Sequence, residues 1–266
     1  MKTCEGVRSL HSPARRMTSF LWRLPRSPLR SSVFRAVIAG VLVILVYAPI
    51  VASETMSGAD YIRRSLMFFI AAAFLAVGRV GAHHPFQHFG SANLVTMLRV
   101  ALVAGVAGLI GEPPSQPIAR LAVAAVVIVA VLDGVDGWLA RRSKEISPFG
   151  ARFDMEVDAA LILILSILVW LHGKAGPWVI ACGLMRYTFV AAGWVLPWMA
   201  GPLRSTVRGK SVAVVQFIGL GVALSPLVPV PLSNAIAGVT LATLVWSFGV
   251  DIAWLKRQSI NRTRLC

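Results

Sequence analysis

Eight runs of mostly apolar residues, each about 17 to 22 long, follow one another along this chain, and that is the length a membrane-spanning helix requires. At about 1.5 Å per helical residue, such a run crosses a hydrocarbon core about 30 Å thick. The runs lie at about 36–53, 64–80, 94–111, 118–139, 155–172, 176–198, 211–229 and 233–255. Turn-forming stretches mark joints between them: "GEPPSQP" at 111–117, "HGKAGP" at 172–177 and "SPLVPVPLSN" at 225–234. No strand-like alternation competes with this pattern, and backbone exposed to lipid must satisfy its own hydrogen bonds, so helices are predicted throughout. Composition agrees: of 266 residues, 57% are hydrophobic and 14% charged, against about 25% charged in an ordinary soluble domain. The expected fold is all-α, a polytopic membrane helix bundle.

The net charge of +15 is unevenly spread. Threading eight spans from a cytoplasmic N-terminus places about 20 of the 26 Lys and Arg on one side, in 1–35, near Arg79, in 141–152, in 204–210 and in 256–264. The other side receives Arg63, Arg64, Arg120 and Lys174, while Arg99 and Arg186 fall within spans. The positive-inside rule then makes both termini cytoplasmic. A basic rim attracts anionic headgroups by about 1 kcal/mol per residue near the surface, so the bilayer is the expected partner and nucleic acid is not. Cys4, Cys182 and Cys266 have neither metal-ligand nor redox spacing.

Residues 1–35, rich in Arg and Ser with Glu5 as their one acid, read as a disordered or surface-lying cytoplasmic arm. The same composition suits a transit peptide, or an upstream extension with the start at Met17. Two accessory spans occupy 36–80 and carry no midplane charge. The segment "GRVGAHHPFQHFGSAN", 78–93, returns to the cytoplasmic face. His83, His84 and His88 lack neighbouring Cys or Asp partners for a metal, and Phe86 and Phe89 are expected to dip into the headgroups. Residues 90–255 form one bundle of six spans, followed by a basic tail at 256–266.

The polar residues inside the bundle carry the functional information. Four of the six aspartates lie in "LDGVDGWLARRSKEISPFGARFDMEVDAAL", 132–161. Asp133, Asp136, Gly137, Ala140 and Arg141 end the fourth span along one helix face, and Gly150, Asp154 and Asp158 open the fifth along another. The short connector makes the two helices antiparallel neighbours whose acidic faces meet. Four carboxylates gathered at that depth cannot all stay ionised without compensation. Arg141, Arg142 and Arg152 are near enough in sequence to supply it. Two divalent cations would also do so, and oxygen-only ligation selects Mg²⁺ or Mn²⁺, ions that pair carboxylates with phosphates. The small residues beside the acids let a ligand or helix approach, and Arg141 can fork onto a phosphate.

The order Asp-x2-Asp-Gly-x2-Ala-Arg-x8-Gly-x3-Asp-x3-Asp, from Asp133 to Asp158, resembles the signature of the CDP-alcohol phosphotransferase family without a departure. Eight fixed positions coincide by chance in roughly one start in 10⁹ to 10¹⁰. The resemblance covers about 90–255 and implies a six-helix membrane core. It implies transfer of a substituted phosphoryl group, usually from CDP-diacylglycerol, to a second alcohol with release of CMP. It makes Asp133, Asp136 and Asp154 metal ligands, Asp158 both ligand and general base, and Gly137, Ala140, Arg141 and Gly150 the cradle of the CDP end.

Upstream, "NLVTMLRV" at 93–100 resembles the family's first core helix, which implies that Asn93 and Thr96 line the nucleotide. Arg99 is expected as a buried partner for an acid or phosphate. Arg186, near the middle of its span, is a functional candidate because a midplane arginine is costly. With Arg204, Arg208 and Lys210 it forms the expected acceptor-binding set. Glycerol-phosphate-using members often carry Gly-Lys-x-Lys-Thr there, and this chain has Gly209-Lys210-Ser211-Val212-Ala213. The reading leans toward glycerol 3-phosphate as acceptor, with inositol phosphate, serine and a second lipid open. The resemblance further implies a homodimer, expected here in a bacterial inner membrane. An intramembrane cation transporter is the alternative from another class, although its acids usually sit at the midplane on broken, repeated helices.

Overall fold

The computed structural model describes residues 25–143, 147–200 and 207–264, and every regular element among them is helical. The helices are α1 (Leu29–Ala52), α2 (Gly58–His83), α3 (Ser91–Gly108), α4 (Gln116–Ser143), α5 (Pro148–Leu171), α6 (Ala181–Val195), α7 (Val207–Leu224) and α8 (Val230–Arg264). Short 3₁₀ turns at Pro177–Ile180 and Pro197–Ala200 flank α6. Each predicted apolar run overlaps one of these helices, although the run at 211–229 continues past the end of α7 and that at 176–198 takes in the 3₁₀ turns beside α6. Among the described residues six segments are long and apolar enough to cross a membrane, in α1, α2, α3, α4, Pro177–Val195 and α8. The chain is an integral membrane protein.

The first and last helices reach beyond their apolar runs into the basic stretches. Helix α1 begins inside the stretch expected as an arm, and α8 continues to Arg264 through the basic stretch expected as a tail. Lys, Arg and Gln propagate a helix well once its hydrogen bonds are running. Residues 1–24, with Cys4, and Cys266 lie outside the described residues; Cys182 is buried and free.

Local chemistry sets the ends that matter. Ser147 caps α5, its Oγ accepting from the Gly150 amide at 2.9 Å, and Pro148 stands where a missing N–H costs nothing. Helix α3 starts after Gly90, whose φ of 82° only glycine adopts freely. At the far end of α5, Gly173 (φ 65°) reverses the chain, and its amide and that of Lys174 donate to the carbonyls of Trp170 and Val169.

Helix α3 is the centre of the bundle, packed by α1, α2, α4 and α5. Helix α5 packs on α3, α6 and α7, while α4 packs on α3 and α7. Among the described residues α4 and α5 scarcely touch, which corrects the expectation that they pack as neighbours. Two acid-bearing faces gain nothing by closing on each other, whereas α3 offers both of them apolar surface and a cation.

The α1–α2 hairpin is fastened to α3 rather than loosely anchored. The Tyr47 hydroxyl donates to the Ala101 carbonyl at 2.8 Å, and a Cβ at Gly105 would collide with the Tyr47 ring. At Gly108 a Cβ would strike Ser65, with the Tyr61 ring 3.0 Å away. Glu112, buried just beyond α3, pairs with Arg64 of α2 and accepts the Met56 amide at 3.0 Å. The outward sides of the hairpin carry exposed Leu42, Val46 and Ile70, as a lipid-facing surface does.

Candidate active site

One arginine organises the aspartates. Asn93, Thr96 and Arg99 stand three residues apart on α3, so they share a face, and all three are buried. The Arg99 guanidinium reaches all four site aspartates: Nη2 lies 2.9 Å from Asp133 and Nη1 2.7 Å from Asp136, while Nη1 also pairs with Asp154 and Nη2 with Asp158. Thr96 adds a hydrogen bond, its hydroxyl donating to Asp136 Oδ2 at 3.1 Å. The structure therefore brings the acids of α4 and α5 together across α3.

The gathering has two sides. Arg99 comes from the bundle interior and has no exposed side-chain surface, whereas the side chains of Asp133 and Asp154 are each 38% exposed. Carboxylate oxygens of Asp133, Asp154 and Asp158 lie within 4.8 Å of one another. One guanidinium supplies a single positive charge against four carboxylates. Oxygen donors at that spacing, open on one side and short of positive charge, fit hard divalent cations.

The sequence-near arginines play no part in that compensation. All four aspartates pair with Arg99, Arg142 lies over the Trp138 ring at 5.0 Å, and Arg141 and Arg152 are exposed. The reason is geometric: an arginine at the end of its own helix reaches outward, while one on α3 points between the two acidic faces.

The residues expected at the nucleotide end sit beside the acids. A Cβ at Gly150 would lie 2.8 Å from Asn93 Oδ1 and 3.2 Å from Ser147 Oγ, so glycine is what lets α3 and α5 meet there. Asn93 Nδ2 donates to the Phe89 carbonyl. On α4 the Arg141 side chain folds back, its Nη1 3.4 Å from where a Cβ at Gly137 would be, with Ala140 half-buried alongside. Phe89 corrects another expectation: it is buried in the protein, its ring 6.2 Å from that of Phe149, and does not enter the headgroups.

Of the four expected acceptor residues, Arg186 and Arg208 are paired with acids outside the aspartate cluster. Arg186 donates to Glu156 at 2.7 Å, at the level of the aspartates but on the opposite face of α5. Arg208 pairs with Asp251 of α8 and lies over the Trp246 ring at 5.9 Å. Arg204 and the side chain of Lys210 lie outside the described residues. Neither Glu156 nor Asp251 was singled out in the sequence, yet each is an acid within a largely apolar helix, and such an acid demands a cation.

The family model for CDP-alcohol phosphatidyltransferase matches residues 89–246, more than half of the chain. No curated protein and no solved structure matches it.

Proposed function

From the premise that this chain belongs to the CDP-alcohol phosphatidyltransferase family, we propose that it transfers the phosphatidyl group of CDP-diacylglycerol to the hydroxyl of a small polar alcohol, with glycerol 3-phosphate the favoured acceptor. It is a membrane-embedded transferase of phospholipid biosynthesis. The observation that carries the proposal is the convergence of Asp133, Asp136, Asp154 and Asp158 on one point of the bundle.

In this reading the donor's acyl chains stay in the bilayer and its nucleotide end rests among Asn93, Thr96, Gly137, Ala140, Arg141 and Gly150. Asp133, Asp136, Asp154 and Asp158 would hold two divalent cations, Mg²⁺ or Mn²⁺. When bound, the cations neutralise the pyrophosphate and the charge developing on departing CMP. Asp158 takes the proton of the acceptor hydroxyl as its oxygen forms a bond to the phosphatidyl phosphorus. The bond from that phosphorus to CMP breaks, and CMP leaves with the electron pair. Helices α4 and α5 run unbroken through the acids, unlike the interrupted helices of ion-binding transporters.

The distribution of Lys and Arg supports a site and both termini on the cytoplasmic side. The family resemblance supports a homodimer, with α1–α2 as an accessory hairpin outside the six-helix core, and the proposed location is a bacterial inner membrane.

The test is metal-dependent CMP release by the purified protein in detergent with CDP-diacylglycerol, offering glycerol 3-phosphate, inositol phosphate, inositol and serine one at a time. Release with glycerol 3-phosphate alone is expected. Release with a different acceptor replaces that assignment, and silence without CDP-diacylglycerol binding overturns the reading. Lys210→Ala is expected to raise the acceptor KM by about tenfold, as loss of a charge-assisted phosphate contact does, with the donor KM little changed. An unchanged acceptor KM removes Lys210 from acceptor binding.

A further inference from the structure

Just before the family core, at the end of α2, His84 turns back onto the start of α5. Its Nε2 lies 2.7 Å from the His88 carbonyl, and its Nδ1 lies 3.2 Å from Ser147 Oγ. A carbonyl only accepts, so Nε2 carries the hydrogen, and in that tautomer Nδ1 is the acceptor of the Ser147 hydroxyl. The same Ser147 oxygen accepts the Gly150 amide at 2.9 Å. One hydrogen-bonded chain therefore runs from α2 through the cap of α5 to the glycine that faces Asn93.

The ring is held in place by aromatic neighbours. Phe86 and Phe149 meet it edge-on with centroids 5.5 and 5.8 Å away, and Phe149 stacks on Phe153 at 5.5 Å. A second link comes from α1. Ser32 Oγ accepts the Phe89 amide at 3.0 Å, and the Phe89 carbonyl accepts from Asn93. Both halves of the Gly150 and Asn93 contact are thus tied to the hairpin that precedes the core.

We propose that His84 is a positioning residue for the nucleotide end of the donor: acting through Ser147, it fixes where Gly150 meets Asn93. The α1–α2 hairpin is then a working part of the donor site and not only a membrane anchor. The proposal rests on the donor reading given above.

The test compares His84→Asn with His84→Leu, side chains of similar size that differ in hydrogen bonding, in the full chain in detergent. Asn can present Oδ1 near the place of Nδ1 and accept the Ser147 hydroxyl, whereas Leu cannot. His84→Leu is expected to weaken CDP-diacylglycerol binding and raise the donor KM by about fivefold, with kcat at saturating donor nearly unchanged, and His84→Asn to restore most of the affinity. Adding His84→Leu to Ser147→Ala is expected to cost little more than Ser147→Ala alone, because the histidine acts only through that serine, whose loss also removes the cap of α5. Equal donor affinity in the two His84 variants overturns the proposal, and so does a parallel fall in kcat and affinity that Asn does not relieve. Wild-type protein that does not bind CDP-diacylglycerol overturns the donor reading itself and this role with it. Wild-type binding with the Leu variant unaltered removes His84 alone.

Discussion

Asp158→Asn is expected to lower CMP release at saturating substrates by about 10² to 10⁴-fold while CDP-diacylglycerol binding stays within a few-fold of wild type. The amide has nearly the volume of the carboxyl but cannot take the acceptor's proton. Asp133, Asp136 and Asp154 remain, and Arg99 keeps its pairs with them. Steady-state turnover and equilibrium binding of the CDP-lipid, measured on the same preparation, separate the two effects. Wild-type turnover in this variant would strip Asp158 of the role of base. Loss of binding together with turnover would make it a donor-site residue first.

Arg99→Met is expected to destabilise the protein in the presence of a chelator by about 3–5 kcal/mol, the usual consequence of removing one partner from a buried ion pair. Four carboxylates would then face one another without their shared cation. Mg²⁺ or Mn²⁺ is expected to recover part of the loss, since a divalent ion supplies the missing charge on the same oxygens. Thermal unfolding in detergent, with chelator and then with each ion, reads both effects. An unfolding midpoint equal to wild type in chelator would mean that Arg99 does not compensate the acids. A deficit that neither ion touches would mean that the carboxylates are not where the ions bind.

The bundle was legible because lipid leaves a chain few choices. An apolar run of spanning length can satisfy its backbone only as a helix, and each predicted run overlaps one. The aspartates were legible because helical periodicity converts offsets of three and four into a shared face. What lay beyond the sequence was the neighbour of that face. Proximity along the chain pointed to Arg141, Arg142 and Arg152, but the cation that meets the acids is Arg99, more than thirty residues before Asp133. The expectation that Arg99 is buried against an acid was sound; its contact with all four was not foreseeable, because nothing local says that α3 stands between α4 and α5. Arg186 and Arg208 show the same limit. Their charge was visible, and their partners Glu156 and Asp251 depend on how α5 meets α6 and α7 meets α8. Phe89 misled for a related reason, since an aromatic near a membrane surface has the same sequence appearance whether it faces headgroups or, as here, Phe149.

The central place of α3 also has a meaning in time. A chain leaves the ribosome N-terminus first, so α1, α2 and α3 precede the segments bearing Asp133, Asp136, Asp154 and Asp158 into the bilayer. A lone arginine in a spanning helix costs about 2.5–3.5 kcal/mol on insertion scales, and in the folded chain the Tyr47 contact with Ala101 holds α1 against the helix that carries it. Each aspartate then arrives beside a cation already in position.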